Sequence, residues 1–175
     1  IRAASELAER ALAQILEELR PGTTEREISA RLDYEFKCRG AEGPAFETIV
    51  LFGPSSSLPH GRPGEKRLES GDIVLVDCGC IREGYCSDLT RTFVFGRIPG
   101  VWFEEIYQVT LAAQRAALDG VAAGMRGRDV DAIARTIITD AGYGDHFGHG
   151  LGHGVGLEVH EAPRLNMESE VVLEP

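Results

Sequence analysis

The sequence has no cluster of Lys and Arg. Its 18 basic residues are outnumbered by 28 acidic ones, for a formal net charge of -10. A nucleic-acid surface needs a basic footprint, so that class of partner is disfavoured. No apolar run approaches the roughly 20 residues of a membrane-spanning helix, which argues against a membrane partner. There is no charged-then-apolar leader, and the chain opens Ile1-Arg2-Ala3 without Met, so the stretch reads as trimmed. Cysteine is scarce. Cys38, Cys78, Cys80 and Cys86 contain no C-x-x-C pair, and Cys78 and Cys80 alternate as small core residues on a strand would. A reduced, cytoplasmic setting is the expectation. What remains is 175 residues, 43% hydrophobic and 26% charged, enough for one core and one soluble domain.

Against these absences, histidine is concentrated. Three of five histidines, His149, His153 and His160, stand in Gly148–Glu161, GHGLGHGVGLEVHE. Glycine lets the backbone approach a ligand, and imidazole is the commonest metal ligand. After the glycines, Val155, Leu157 and Val159 alternate with Gly156, Glu158 and His160, which predicts a strand. A Gly-rich loop that delivers histidines onto a strand predicts a site.

The rest of the chain reads as helix pairs followed by strands. Residues 2–19 are amphipathic, with Leu7, Ala11, Leu12, Ile15, Leu16 and Leu19 on one face. Pro21-Gly22 ends that helix. Thr24 and Glu27 make a capping box for a second helix running to about Arg39, stopped by Gly40. Phe46–Leu51 predicts a strand, then Gly53–Gly64 a loop holding His60. Ile73–Asp77 and Tyr85–Phe95 predict two strands joined by a Glu83-Gly84 turn. Helices over about 101–122 and 129–141 follow.

Displaced by 102 residues, the sequence aligns weakly with itself. Gly22 falls on Gly124, Glu27 on Asp129, Ile28 on Val130, Ala30 on Ala132 and Gly40 on Gly142. So long a period is not a solenoid; it predicts one fold of two related halves. The first half continues into strands carrying Asp77 and Asp88, whose counterparts would fall near or beyond position 175.

Asp77 ends an apolar strand on the side of Ile73 and Leu75, where an unpaired carboxylate would be costly. Asp88 follows eleven residues on, across the expected hairpin. A divalent metal would relieve the repulsion between the two carboxylates. The plainer alternative pairs Asp88 with Arg91 and lets Asp77 cap a turn. With His153 the set becomes O, O, N, suited to Mn, Co, Fe or Zn.

VDCGC…YCSDLTRTF and GHGLGHGVGLEVHEAP together resemble the pita-bread-fold metallopeptidases, most of all the Xaa-Pro aminopeptidases and Xaa-Pro dipeptidases. ETIVLFGPSSSLPHGRPGEKRLESGDIVLVDCG is similar to that family's approach to its first metal aspartate. The resemblance covers nearly the whole chain. It implies an α+β fold of two pseudo-symmetric helix-helix-strand halves around a curved antiparallel sheet. It implies two divalent metal ions, with Mn foremost, and makes Asp77, Asp88 and His153 ligands. It makes His60 and His160 the catalytic, substrate-binding histidines and puts His149 in the pocket for proline. The implied reaction is attack of metal-bound hydroxide on the bond before proline in a peptide substrate; a homodimer is compatible with it.

The family completes its dinuclear site with two glutamates on late strands. Glu174-Pro175 resembles the turn before the first of those strands, and Glu168 and Glu170 read as solvated. Residues 1–175 therefore read as a partial catalytic domain, without the N-terminal domain common in these enzymes and without its last strands. Such a stretch is expected to hold at most one metal, weakly, and not to cleave Xaa-Pro by itself. Three other readings stand beside this one: a methionine aminopeptidase, a catalytically silent peptide- or protein-binding module on the same fold, and a metal-free creatinase-like hydrolase. The SDLTRT and HGLGHGVGL forms favour the proline enzymes over the first. The intact Asp77, Asp88, His153 and His160 disfavour the other two.

Overall fold

The computed structural model describes residues 1–175 and divides them into two units, Ile1–Pro99 with Val155–Val159, and Gly100–Gly154 with His160–Pro175. In the first unit, helix α1 (Arg2–Glu17) turns Ala4, Leu7, Ala8, Ala11, Leu12 and Ile15 inward. Three alanines on that stripe let the helix lie close against its neighbours. Helix α2 (Glu25–Cys38) starts at the predicted capping box. The Glu27 N–H donates to Thr24 Oγ1 at 3.1 Å, and the Thr24 N–H donates back to Glu27 Oε2 at 2.7 Å. Ile28, Leu32 and Phe36 of α2 join the same core. Each such side chain contributes about 1.5–3 kcal/mol when fully buried.

The strands are shorter and more divided than the periodicity predicts. In chain order they are β1 (Gly43–Pro44), β2 (Ile49–Phe52), β3 (Ile73–Cys78), β4 (Cys80–Arg82), β5 (Tyr85–Cys86) and β6 (Leu89–Val94). One antiparallel sheet has the order β2-β3-β6 and another β1-β4-β5. The predicted strand over Phe46–Leu51 begins later, at Ile49, and includes Phe52. The predicted strand over Tyr85–Phe95 breaks at Ser87-Asp88 and serves both sheets. Glu83-Gly84 is a turn, with φ of 54° and 74°, but it joins β4 to β5 rather than β3 to β6. Gly79 permits the break: a Cβ there would stand 1.9 Å from the Ser87 carbonyl oxygen.

On β3 the buried side chains are Val74, Val76 and Cys78. Asp77 shares a face with Ile73 and Leu75, as the alternation predicts, but that face is half-exposed rather than core. Asp77 itself is partly buried there, and Thr90 supplies it with a hydrogen-bond donor. Cys78, Cys80 and Cys86 are buried and reduced, and Cys38 is exposed.

The second unit holds α3 (Val101–Gly120) and α4 (Gly127–Asp140), which meet at a small core of Ala113, Ala117 and Ala134 with Ile137, Ile138 and Leu151. Strand β7 (Gly152–Gly154) pairs antiparallel with β8 (Glu161–Leu165), placing His153 opposite Arg164.

The strand predicted over Val155–His160 does not form. These residues are a succession of bends, and the Gly156 N–H donates to the Glu158 carbonyl at 3.0 Å. The alternation is not that of a half-buried strand, because Leu157 is exposed. The segment instead fastens to β5, whose Cys86 N–H donates to the Gly156 carbonyl at 2.8 Å.

The 102-residue repeat is real at the level of the backbone. Gly22 and Gly124 have φ of 88° and 89°, and Gly40 and Gly142 of 89° and 87°. The Gly22 N–H donates to the Leu68 carbonyl at 2.8 Å, and the Gly124 N–H to the Leu173 carbonyl at 2.8 Å. Thr24 bridges Arg67 as Arg126 bridges Val172. Each helix pair thus carries a strap across its turn; the helix-turn positions match at 102 residues, and the strap residues are displaced by three more.

Candidate functional site

Within the first unit, the β3–β6 register sets Asp77 opposite Thr90. Thr90 Oγ1 donates to Asp77 Oδ1 at 2.8 Å, which orients the carboxylate. Asp88 lies two residues before Thr90, just ahead of β6. It falls at the break between β5 and β6, outside the paired residues of the ladder. Both carboxylates act on one thiol: burial pushes Cys78 up to about 12, and Asp77, Cys80 and Asp88 push the same way. Arg91, the alternative partner of Asp88, reaches Glu9 at 3.7 Å and donates to the Thr90 carbonyl at 2.9 Å.

His60 is exposed, in the loop between β2 and β3. That loop is fastened at both ends by one residue the sequence reading overlooked. Glu25 is 3% exposed, and its carboxylate accepts the Phe52 N–H at 2.7 Å and the Gly64 N–H at 2.8 Å. Its position at the start of α2 suited a surface residue of the first turn, and only the returning loop buries it.

Within the second unit the histidine stretch is held from α4. Asp131 is 1% exposed and accepts Arg135 Nε at 2.7 Å and Nη2 at 3.1 Å. Asp131 Oδ1 also accepts the Leu151 N–H at 2.9 Å. Arg135 Nη1 donates to the Phe147 carbonyl and Nη2 to the His149 carbonyl, both at 2.8 Å. The guanidinium lies 4.3 Å over the Phe147 ring, and Phe147 meets His149 edge-on at 4.9 Å. The bond to Asp131 holds the Arg135 pKa above its ordinary value. This i, i+4 acid–base pair was also overlooked; a D-x-x-x-R spacing on a helix was its one signal.

His149 Nδ1 lies 2.8 Å from the Gly150 carbonyl, and His153 Nδ1 2.9 Å from the Gly154 carbonyl. A carbonyl only accepts, so these contacts assign the proton to Nδ1. A metal-ligating histidine commonly donates one ring N–H to a backbone carbonyl and coordinates through its other nitrogen. The His153 and His160 rings lie 4.1 Å apart, so these two are brought together. Glu170 is not merely solvated: Arg126 Nη1 meets its Oε2 at 2.8 Å and Arg128 Nη1 meets its Oε1. Glu168 is exposed.

No three His, Cys, Asp or Glu side chains form a ready-made cluster for a metal ion. The chemistry of the individual donors nonetheless suits one. Asp77 and Asp88 are carboxylates that both bear on the Cys78 thiol, and His153 is an imidazole with one ring nitrogen on a backbone carbonyl.

All of residues 1–175 match the profile of Metallopeptidase family M24. The chain is 47% identical over 173 residues to an Xaa-Pro dipeptidase of Pyrococcus furiosus, an alignment covering 99% of the chain and 49% of that relative. A prolidase structure from Pyrococcus horikoshii superposes with a TM-score of 0.95 at 46% identity, over 99% of the chain and 50% of that structure. An X-Pro aminopeptidase structure from Thermotoga maritima does so with a TM-score of 0.95 at 43% identity, over 99% and 49%. The chain spans about half the length of the relatives it matches, and the expected pita-bread α+β class stands.

Proposed function

The chain belongs to Metallopeptidase family M24, and on that premise we propose that the protein is a metal-dependent exopeptidase that cleaves the bond between an N-terminal residue and proline. The observation that carries this reading is 47% identity, across 99% of the chain, to an enzyme named Xaa-Pro dipeptidase. Membership implies divalent metal ions. In this reading Asp77, Asp88 and His153 hold them, with manganese the first candidate before cobalt, zinc and iron. Metal ions held by these residues would lower the pKa of a water and polarise the scissile carbonyl.

The chain's own residues do the rest. Thr90 keeps the Asp77 carboxylate turned one way. His160, beside His153, donates to the oxygen on which charge develops, and His60 flanks the substrate from its loop. His149, braced against Phe147, lines the pocket for the proline ring. Proline suits recognition by shape, since its tertiary amide offers no N–H to bond. The setting proposed is the cytoplasm.

The test is a panel of dipeptides and longer peptides with proline or another residue in second place, assayed with added Mn²⁺, Co²⁺ or Zn²⁺. Cleavage confined to Xaa-Pro bonds, lost on chelation and restored by metal, is the expected result. Cleavage after N-terminal Met without regard to proline would move the protein to methionine aminopeptidases. Peptide binding without turnover would make it a silent binding module.

A further inference from the structure

We propose that Asp131 and Arg135 are positioning residues that set the orientation of the histidine loop, and through it the placement of the pocket residue His149 and the ligand His153. The inference deepens the metallopeptidase reading and rests on it for the role of those histidines.

The clamp addresses backbone groups at alternate residues. Arg135 takes the carbonyls of Phe147 and His149, and Asp131 takes the N–H of Leu151. Three points spaced by two residues fix both the path and the rotation of the segment. His149 is itself the middle point, and His153 lies two residues past the third. The guanidinium also stacks on Phe147, the ring against which His149 stands.

A buried ion pair is weak evidence for a stabilising role, because desolvation offsets much of the attraction. Here every guanidinium nitrogen is engaged in a planar fork that an ammonium cannot reproduce.

The other half of the repeat shows what a plain fastening looks like. Displacement by 102 residues carries Asp131 to Ser29 and Arg135 to Asp33. Ser29 Oγ donates to the Thr48 carbonyl at 3.0 Å, and Asp33 Oδ1 accepts from Thr48 Oγ1 at 2.6 Å. The same two helix positions hold the following segment in both halves. The charged, bidentate version occurs only where that segment carries histidines.

The experiment compares Arg135→Lys, Asp131→Asn and Ser29→Ala in the protein. Three readouts are taken: long-range ¹H–¹⁵N spectra of the imidazoles without metal, Zn²⁺ affinity by competition with a chelator, and melting temperature. In Arg135→Lys, His149 and His153 should lose their fixed Nδ1–H tautomer, and Zn²⁺ affinity should fall about 10–100-fold, as for loss of an outer-shell partner. Ser29→Ala should lower the melting temperature and leave both other readouts unchanged. If Arg135→Lys behaves like Ser29→Ala, the clamp is only a structural fastening and the proposal is overturned. Should Arg135→Lys fail to fold, Asp131→Asn, which keeps an acceptor for Leu151, decides by the same readouts. Imidazole and Zn²⁺ responses as expected in a protein that cleaves no Xaa-Pro peptide would sustain the clamp and sink the exopeptidase reading.

Discussion

Asp77 accepts a hydrogen bond from Thr90 at 2.8 Å, directly across the β3–β6 ladder. Thr90 is exposed and Asp77 partly buried, so the bond orients the carboxylate at small expected cost or gain in stability. Thr90→Val should leave the unfolding free energy within about 0.5 kcal/mol, as for an exposed substitution. Metal affinity should fall about 10–100-fold, because the carboxylate loses its orienting donor. Calorimetric titration with Mn²⁺ beside urea unfolding separates the two effects. Unaltered affinity would remove Thr90 from the site.

His160 lies 4.1 Å, ring to ring, from His153. If it acts on the substrate and not as a ligand, His160→Ala should lower kcat by about 10²-fold or more with metal content intact. Metal analysis and steady-state kinetics on one preparation make the check. Loss of metal would instead make His160 a ligand, and normal turnover would take it out of the mechanism.

Glu25 presents one oxygen to each end of the His60 loop. Glu25→Gln turns an amide NH₂ toward a backbone N–H, so one buried donor loses its acceptor. The cost should be about 1–3 kcal/mol, with faster amide exchange at Phe52 or Gly64. Equal protection in both proteins would show that the loop is held by other means.

Asp33 has its pKa raised by burial, against the opposing bond from Thr48. The folded chain therefore keeps this proton to higher pH than the unfolded chain, which releases it near the ordinary 3.8. Unfolding then releases a proton above that value, and the contribution of Asp33 to stability declines as pH rises through the folded pKa. An asparagine side chain at this position does not titrate and still accepts from Thr48. Asp33→Asn should accordingly gain melting temperature relative to the parent as pH rises above about 3.8, until Asp33 is ionised in the folded chain as well. A difference that is flat across this range would refute the assignment.

Gly79 lets the chain pass from β3 to β4 against Ser87. Backbone, not a flexible side chain, stands 1.9 Å from where a Cβ would be. Gly79→Ala should cost about 3 kcal/mol or more by forcing the β4–β5 hairpin and Asp88 aside. Urea unfolding measures it, and a loss below about 0.5 kcal/mol would mean that the turn relaxes freely.

Much of this chain was legible in its residues. The helix pairs, the capping box at Thr24 and Glu27, and the repeat displaced by 102 all follow from local rules: amphipathic period, cap chemistry and glycines that accept positive φ. The family, too, was readable, because VDCGC, SDLTRT and HGLGHG are dense in residue types that only a site requires. Glu170 is exposed, as read, but its two arginine partners stand more than 40 residues away in sequence, beyond the reach of local pattern.

Three matters were left to the tertiary structure. Alternation told which residues share a face with Asp77 but not which face meets the core; α1 and α2 settle that by covering Val74, Val76 and Cys78. Val155–His160 alternates like a strand, yet becomes bends, because its backbone groups bond to Cys86 and to each other rather than to a ladder. Glu25 and Asp131 look like ordinary helix-surface acids until loops from far along the chain fold over them. Local pattern is set by the period of a helix or strand. Burial and hydrogen-bond partnership depend on what the rest of the chain brings alongside, and no residue carries that in its own identity.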